Sequence, residues 1–300
     1  MNAKITKRDF LKLAGLGGVV FASALPGFGS VSRAAGKAAG DFYFVQLSDL
    51  HWGFKGPAIN PDAEGTLPKA IAAVNALPEQ PDFVVFTGDI THTTDDAAER
   101  RARMAKAKEI IGTLKVKQIH FLAGEHDAAL DQGAAFKEVF GQTTYAFDHK
   151  GVHFIALDNV SDPKANIGAE QLAWLAADLK KQKADQPIVV FTHRPLFDLA
   201  PDWDWATPDG KAAVDMLMPF KNVTVFYGHI HQEHHQMTGH IAHHAAKGLM
   251  YPLPAPMSVP KKTPNPWDAA APYNGLGFRE VETAAKAEKP EITEFPMQKA

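Results

Sequence analysis

In the stretch Tyr227-Gly228-His229-Ile230-His231, two imidazoles stand two residues apart. In extended backbone, side chains at that spacing point the same way, so His229 and His231 would reach one spot beyond a strand end. Two imidazoles aimed at one spot can hold a metal ion. Asp49 and His51 repeat the spacing, and further donors follow at Asp89, in Gly124-Glu125-His126-Asp127 and at His193. Singly, each has a plainer explanation. Asp89 follows Gly88 and could serve a turn, Glu125 to Asp127 could stay solvated, and His229 and His231 are two of 14 histidines. The joint pattern is more specific, because each of these groups closes an apolar run. Oxygen and imidazole donors suit zinc, manganese or iron, and a carboxylate between two imidazole-rich sets can bridge two ions. Asp89 is the natural bridge.

The runs that must position these donors are 41–47, 82–87, 118–123, 187–192 and 223–226, all reading as buried strands. Helical patterns lie between them: 66–77 with Thr66 as N-cap, the charged 95–115, 169–182 with Leu172, Leu175, Ala176 and Leu179 on one face, and 211–218. Segments 144–148 and 152–158 flank His149-Lys150-Gly151 as a hairpin. Strand-helix alternation predicts an α/β fold, and in such sheets ligands bind outside the carboxyl ends of the strands. The donors should therefore converge. Later in the chain, His234, His235, His240, His243 and His244 form a histidine-rich segment, read as strand or loop residues in preference to metal storage. The proline-rich 252–272 reads as a surface loop, with closing strands at 275–281 and 292–295.

A chain of 300 residues, 45% hydrophobic, supports one sizeable core or two small ones. The absence of cysteine excludes disulfides and thiolate chemistry, and a net charge of -3 argues against a nucleic-acid surface. Thr6-Lys7-Arg8-Asp9-Phe10-Leu11-Lys12, the uncharged 13–32 and Arg33-Ala34-Ala35 read as an export signal over 1–35, followed by a linker at 36–40 and a single domain over 41–300. A transmembrane helix competes for 13–32, but its glycines and small-residue ending favour a cleaved signal. The segment resembles a twin-arginine signal with Lys7 in the first arginine's place. It implies export machinery as a partner, a periplasmic or secreted location and no stable membrane span in the mature protein.

Taken in order, D-x-H (Asp49, His51), G-D (Gly88, Asp89), a variant of G-N-H-D (Gly124 to Asp127), a lone His193 and G-H-x-H (Gly228 to His231) resemble the calcineurin-like metallophosphoesterases. The resemblance implies a two-sheet αββα sandwich with flanking helices. It implies that Asp49, His51, Asp89 and His231 hold one metal, and Asp89, Glu125, His193 and His229 the other. Two divalent or mixed-valence ions of iron, manganese or zinc would give a bridging hydroxide that attacks a small phosphomonoester or phosphodiester. By the same resemblance His126 protonates the leaving alkoxide or contacts phosphate, and Asp127 is expected to orient its imidazole.

Glu125 departs from the family's asparagine and adds a negative charge. Two divalent ions, three carboxylates and a hydroxide would then sum to neutrality. That predicts a trivalent ion in one position, or a preference for less charged substrates such as phosphodiesters. Two other readings compete: a non-catalytic periplasmic metal-binding protein on the same fold, with the histidine-rich segment as its working part, and a hydrolase of non-phosphate esters. Specificity would lie in loops 52–64, 196–208 and 252–272, whose Trp52, Phe54, Trp203, Trp205 and Trp267 could stack on substrate or pack the loops.

Overall fold

Apolar runs that alternate with amphipathic segments must bury one face of each helix and both faces of each central strand. The computed structural model, which describes residues 21–23, 41–283 and 290–297, meets that demand with two stacked sheets between helices. In chain order come β1 (Phe21–Ser23), β2 (Phe42–Leu47), α1 (Ala63–Asn75), β3 (Phe83–Thr87), α2 (Ala97–Ile111), β4 (Ile119–Leu122), α3 (Glu125–Ala128) and α4 (Ala134–Phe140). Then follow β5 (Tyr145–His149), β6 (Val152–Ala156), α5 (Ala169–Leu179), β7 (Ile188–Phe191), α6 (Gly210–Leu217), β8 (Val223–Tyr227), β9 (His234–Thr238), β10 (Ile241–Ala245), β11 (Gly277–Thr283) and β12 (Glu291–Pro296).

One sheet has the order β1-β12-β11-β2-β3-β4 and the other β5-β6-β7-β8-β10-β9. Both are mixed: β2, β3 and β4 run parallel while β11 opposes β2, and β6, β7, β8 and β10 run parallel between antiparallel β5 and β9. The inner faces meet through phenylalanines. Phe42, Phe44, Phe83, Phe154, Phe191 and Phe226 are all buried there, and the Phe44 ring stacks on Phe83 at 4.8 Å with Phe191 and Phe226 edge-on to it. Each such ring contributes roughly 1.5–3 kcal/mol of transfer energy. The alternate residues face outward, Val45 and Val84 against Leu67, Ile71 and Met104, and Val190 and Val225 against Leu175 and Leu217. This is the expected αββα sandwich.

Some local readings shift. Helix α1 begins at Ala63, so Thr66 lies inside it and donates its hydroxyl to the Ala63 carbonyl, and Pro68 is internal. The buried stripe of Leu67, Ala70, Ile71 and Val74 outweighs the proline's missing donor. Asp96 caps α2 by accepting from Ala98 and Glu99, and the β5–β6 turn places Lys150 and Gly151 at φ 45° and 83°, the left-handed pair a two-residue hairpin turn requires. The expected signal and linker fall outside the described residues apart from β1, which pairs in parallel with β12. Among the described residues no helix is long and apolar enough to cross a membrane.

The histidine-rich segment forms the β9–β10 hairpin, with His243 and His244 buried. Neither ring nitrogen of His243 has a hydrogen-bond partner, and burial lowers its pKa to about 4. A histidine neutral in the fold but free to charge when unfolded supports stability fully above its ordinary pKa near 6.5 and loses that support as pH falls towards 4. Unfolding in urea should therefore show a loss of about 3 kcal/mol over that interval attributable to this residue. His243→Gln should flatten the pH dependence by that amount; an unchanged slope would remove the assignment.

Candidate metal centre

The loops after β2 and β3 run side by side beyond the sheet. Asp49 N–H donates to Gly88 O at 3.1 Å, His51 N–H to Asp89 O at 2.8 Å and Trp52 N–H to Ile90 O at 2.9 Å. The loop after β8 joins them where His229 N–H meets both Asp49 carboxylate oxygens at 3.1 Å. Two glycines allow this closeness. A Cβ on Gly124 would stand 2.1 Å from Asp89 Oδ1, and one on Gly228 would stand 2.0 Å from Ser48 Oγ.

Asp49, His51, Asp89, His229 and His231 all have positive φ, at 55°, 44°, 49°, 66° and 53°. Such backbone costs about 1–3 kcal/mol per residue and persists only where the surroundings enforce it. It also corrects one expectation. His229 and His231 are not in extended backbone and do not converge on one point: His231 joins Asp49, His51 and Asp89, whereas His229 joins Glu125 and His193. In each of these two groups the ligand atoms lie within 4.8 Å of one another, as they do in a third group of Asp89, Glu125 and His126. All the expected donor residues are thus brought to one place, and Asp89 faces both halves, its Oδ2 being 3.5 Å from His51 Nε2 and 3.5 Å from His193 Nε2.

Backbone carbonyls set the imidazole tautomers. His193 Nδ1–H donates to Thr87 O at 2.6 Å, His231 Nδ1–H to Tyr251 O at 2.6 Å, and His229 Nε2–H to Asp204 O at 2.9 Å. The remaining nitrogen of each ring points inward, the arrangement of metal-binding histidines. His229 Nδ1 lies 2.9 Å from Glu125 Oε1, and His193 Nε2 lies 2.9 Å from Glu125 Oε2. His229 Nδ1, His193 Nε2 and Glu125 Oε2 are buried with no hydrogen-bond partner. Burial lowers the His229 pKa, so its inward nitrogen carries a lone pair facing a carboxylate oxygen. A cation between them resolves that repulsion.

The other half has the same character. Burial pushes His51 well below the usual range and His231 down to about 3, so both rings stay neutral, as ligands must. Burial pushes Asp49 up to about 8, which means that a cation entering there displaces a proton. Burial opposes charge on His193, yet the Asp89 and Glu125 carboxylates hold its pKa well above the ordinary value.

His126 and Asp127 have separate tasks. His126 Nδ1 accepts from Thr93 N–H at 3.2 Å, which leaves the ring proton on Nε2, 4.0 Å from Asp89 Oδ2. Asp127 does not orient that ring, contrary to expectation. Its buried carboxylate accepts from Ile90 N at 3.0 Å, Thr91 N at 2.8 Å, Thr91 Oγ1 at 2.9 Å and Gly124 N at 3.0 Å. One residue after His126 on a short helix, it points into the loop behind the site and clamps that loop's backbone.

The calcineurin-like phosphoesterase family matches this chain over residues 42–233. The chain belongs to this family. Membership makes it a metal-dependent hydrolase of phosphoric esters. It is 26% identical over 232 residues to a probable cyclic nucleotide phosphodiesterase of Rhodopseudomonas palustris, covering 69% of this chain and 78% of that protein. It is 25% identical over 219 residues to a serine/threonine-protein phosphatase of Bos taurus, covering 64% of this chain and 70% of that protein. In fold it resembles a dimetal phosphatase from Danio rerio, with a TM-score of 0.53 and 14% identity, covering 86% of this chain and 99% of that one.

Several residues around this phosphoesterase site lie outside the motifs read from sequence. Tyr251 stacks on His231 at 4.5 Å and on His51 at 5.2 Å, and Asn159 Oδ1 accepts from His193 N at 3.2 Å and Arg194 N at 3.3 Å. His92 stacks on His126 at 4.8 Å and sets its Nδ1 3.4 Å from His51 Nδ1. Its place three residues after Asp89 could have drawn notice. The loop aromatics divide: Trp203 and Trp205 are buried against Tyr227 and Ile230, while Phe54 packs on His92 at 5.1 Å beside the site. Loop 252–272 has no helix or strand.

Proposed function

We propose that this phosphoesterase is dinuclear and hydrolyses phosphomonoesters or phosphodiesters, with Asp49, His51, Asp89 and His231 holding one ion and Asp89, Glu125, His193 and His229 the other. The observation that carries this reading is the His229 ring, whose Nε2 is engaged by the Asp204 carbonyl at 2.9 Å and whose Nδ1 lies buried 2.9 Å from Glu125 Oε1 without a geometrically formed hydrogen bond. Bound divalent ions supply Lewis-acid activation of water and neutralise phosphoryl oxygens. The chain supplies the rest. Thr87, Asp204 and Tyr251 carbonyls hold three imidazoles in the ligand tautomer, and Asp127 ties the loops together. His126 presents an Nε2 proton towards the centre, positioned to reach the oxygen of a leaving alcohol.

Relatives named as a phosphodiesterase and as a phosphatase support both ester classes. The non-catalytic reading loses its working part, because every metal-capable group found among the described residues lies at the strand ends and none in the histidine-rich hairpin. Export is part of the same proposal, supported by the basic start, the uncharged 13–32 and the small residues that follow.

The test is one preparation of the protein from a native-type host. Elemental analysis should give about two transition ions per chain, and chelation should abolish hydrolysis of an aryl phosphate and a bis-aryl phosphodiester. Sequencing its N-terminus should show the signal removed. Chelator-resistant turnover would sink the metal reading, and an intact Met1 in the cytoplasmic fraction would sink export.

A further inference from the structure

Glu125 brings a negative charge to a place where the resembling family has a neutral amide. Beside it the fold places a cation that family resemblance does not supply. Arg194 follows His193 directly, is 5% exposed, and sets its Nε 3.9 Å from Glu125 Oε2. That Nε is buried without a hydrogen-bond partner. The position is held from both sides, since Asn159 accepts from the His193 and Arg194 amides and donates to the Arg194 carbonyl at 3.0 Å. Arg194 Nη2 also pairs with the Asp204 carboxylate, whose backbone carbonyl orients His229. Glu125, Arg194, Asp204 and His229 therefore form a closed circuit around the second half of the centre.

We propose that Arg194 is the built-in counter-charge of Glu125, so that the pair presents the second metal position with the net charge a neutral amide would give. The proposal rests on the dinuclear reading above. It revises the charge count made from sequence, in which Glu125 left the centre neutral and favoured less charged substrates. With Arg194 included, one positive charge returns, and attraction to a phosphate dianion returns with it. Asp204 competes for the guanidinium but compensates less. Its side chain is 56% exposed against 23% for Glu125, so water screens it more.

A double-mutant cycle decides the matter, with zinc titrated into the metal-free protein and inorganic phosphate titrated into the loaded protein, both followed calorimetrically. Arg194→Gln should tighten zinc at one position and weaken phosphate, each by about tenfold, the scale of one charge a few ångströms away in a partly screened site. Glu125→Asn should weaken zinc by about tenfold or more, and adding Arg194→Gln to it should recover most of that loss. Arg194→Lys, which keeps the charge without the guanidinium fork, should follow the wild type. A double variant that binds zinc as weakly as Glu125→Asn alone, or Arg194→Lys behaving as Arg194→Gln, would make Arg194 a loop anchor and overturn the proposal. A wild-type protein that takes up no zinc would overturn the dinuclear reading beneath it.

Discussion

Replacing Asp89 with asparagine is expected to lower turnover by about 10³-fold or more and to reduce bound metal from about two ions per chain to one or none. The reason is position. Asp89 approaches imidazoles of both halves evenly, at 3.5 Å to His51 and 3.5 Å to His193, where Asp49 lies 3.4 Å from His231 but 4.0 Å from His193, and Asp89 Oδ1 accepts the His126 amide at 2.9 Å. Asparagine keeps an acceptor for that amide and loses the charge. Without metal, Asp49, Asp89 and Glu125 crowd three carboxyl groups into a buried space, a cost that only protons or cations relieve. Burial and Glu125 push the Asp89 carboxyl up, yet the imidazoles of His126, His193 and His51 hold its pKa below the ordinary value, so the metal-free Asp89→Asn protein should melt lower than the metal-free wild type, and the stabilisation that metal gives should shrink as well. Thermal unfolding with and without chelator, run beside elemental analysis, separates this from a general packing defect. An Asp89→Asn protein that retains two ions and full turnover would contradict the bridging role. One whose stabilisation by metal equals that of the wild type would show that Asp89 acts in the fold alone.

The donor set could be read from sequence because each donor follows directly on an apolar run, and parallel strands in a sheet must end on the same side. That logic placed Asp49, His51, Asp89, Glu125, His193, His229 and His231 at one edge, where the structure has them. The backbone at those positions was not legible. The extended geometry assumed for the two-residue spacings gives way to left-handed φ, which sends His229 and His231 to different halves of the centre. The task of Asp127 differs from the sequence expectation for a related reason. Adjacency in sequence suggested service to His126, but on a helical turn neighbouring side chains diverge by about 100°. Its carboxylate reaches the Ile90 and Thr91 amides instead. Arg194, Asn159 and Tyr251 act through space across long sequence separations, and no local pattern marks such residues. The aromatic loops show the same limit: Trp203 and Trp205 look available in sequence and are buried in the fold.

His126→Ala is expected to slow hydrolysis of an alkyl phosphate, whose leaving alcohol needs a proton, by about 10²–10⁴-fold. With a nitrophenyl ester the loss should be far smaller, because that leaving group departs as a stable anion. The distinction follows from the tautomer. Thr93 N–H donates to His126 Nδ1, so the neutral ring can only donate from Nε2, and a nitrogen that bears a proton is not a metal ligand. The ring is also accessible, at 24% side-chain exposure, unlike the fully enclosed imidazoles of His51 and His193. Metal content should accordingly stay unchanged in His126→Ala, and this second readout gives the test its force. Equal losses on both esters with metal retained would make His126 a phosphate-binding residue that does not act as the acid. Loss of an ion would mean that His126 completes the group it shares with Asp89 and Glu125, and the proton on Nε2 would have been misplaced.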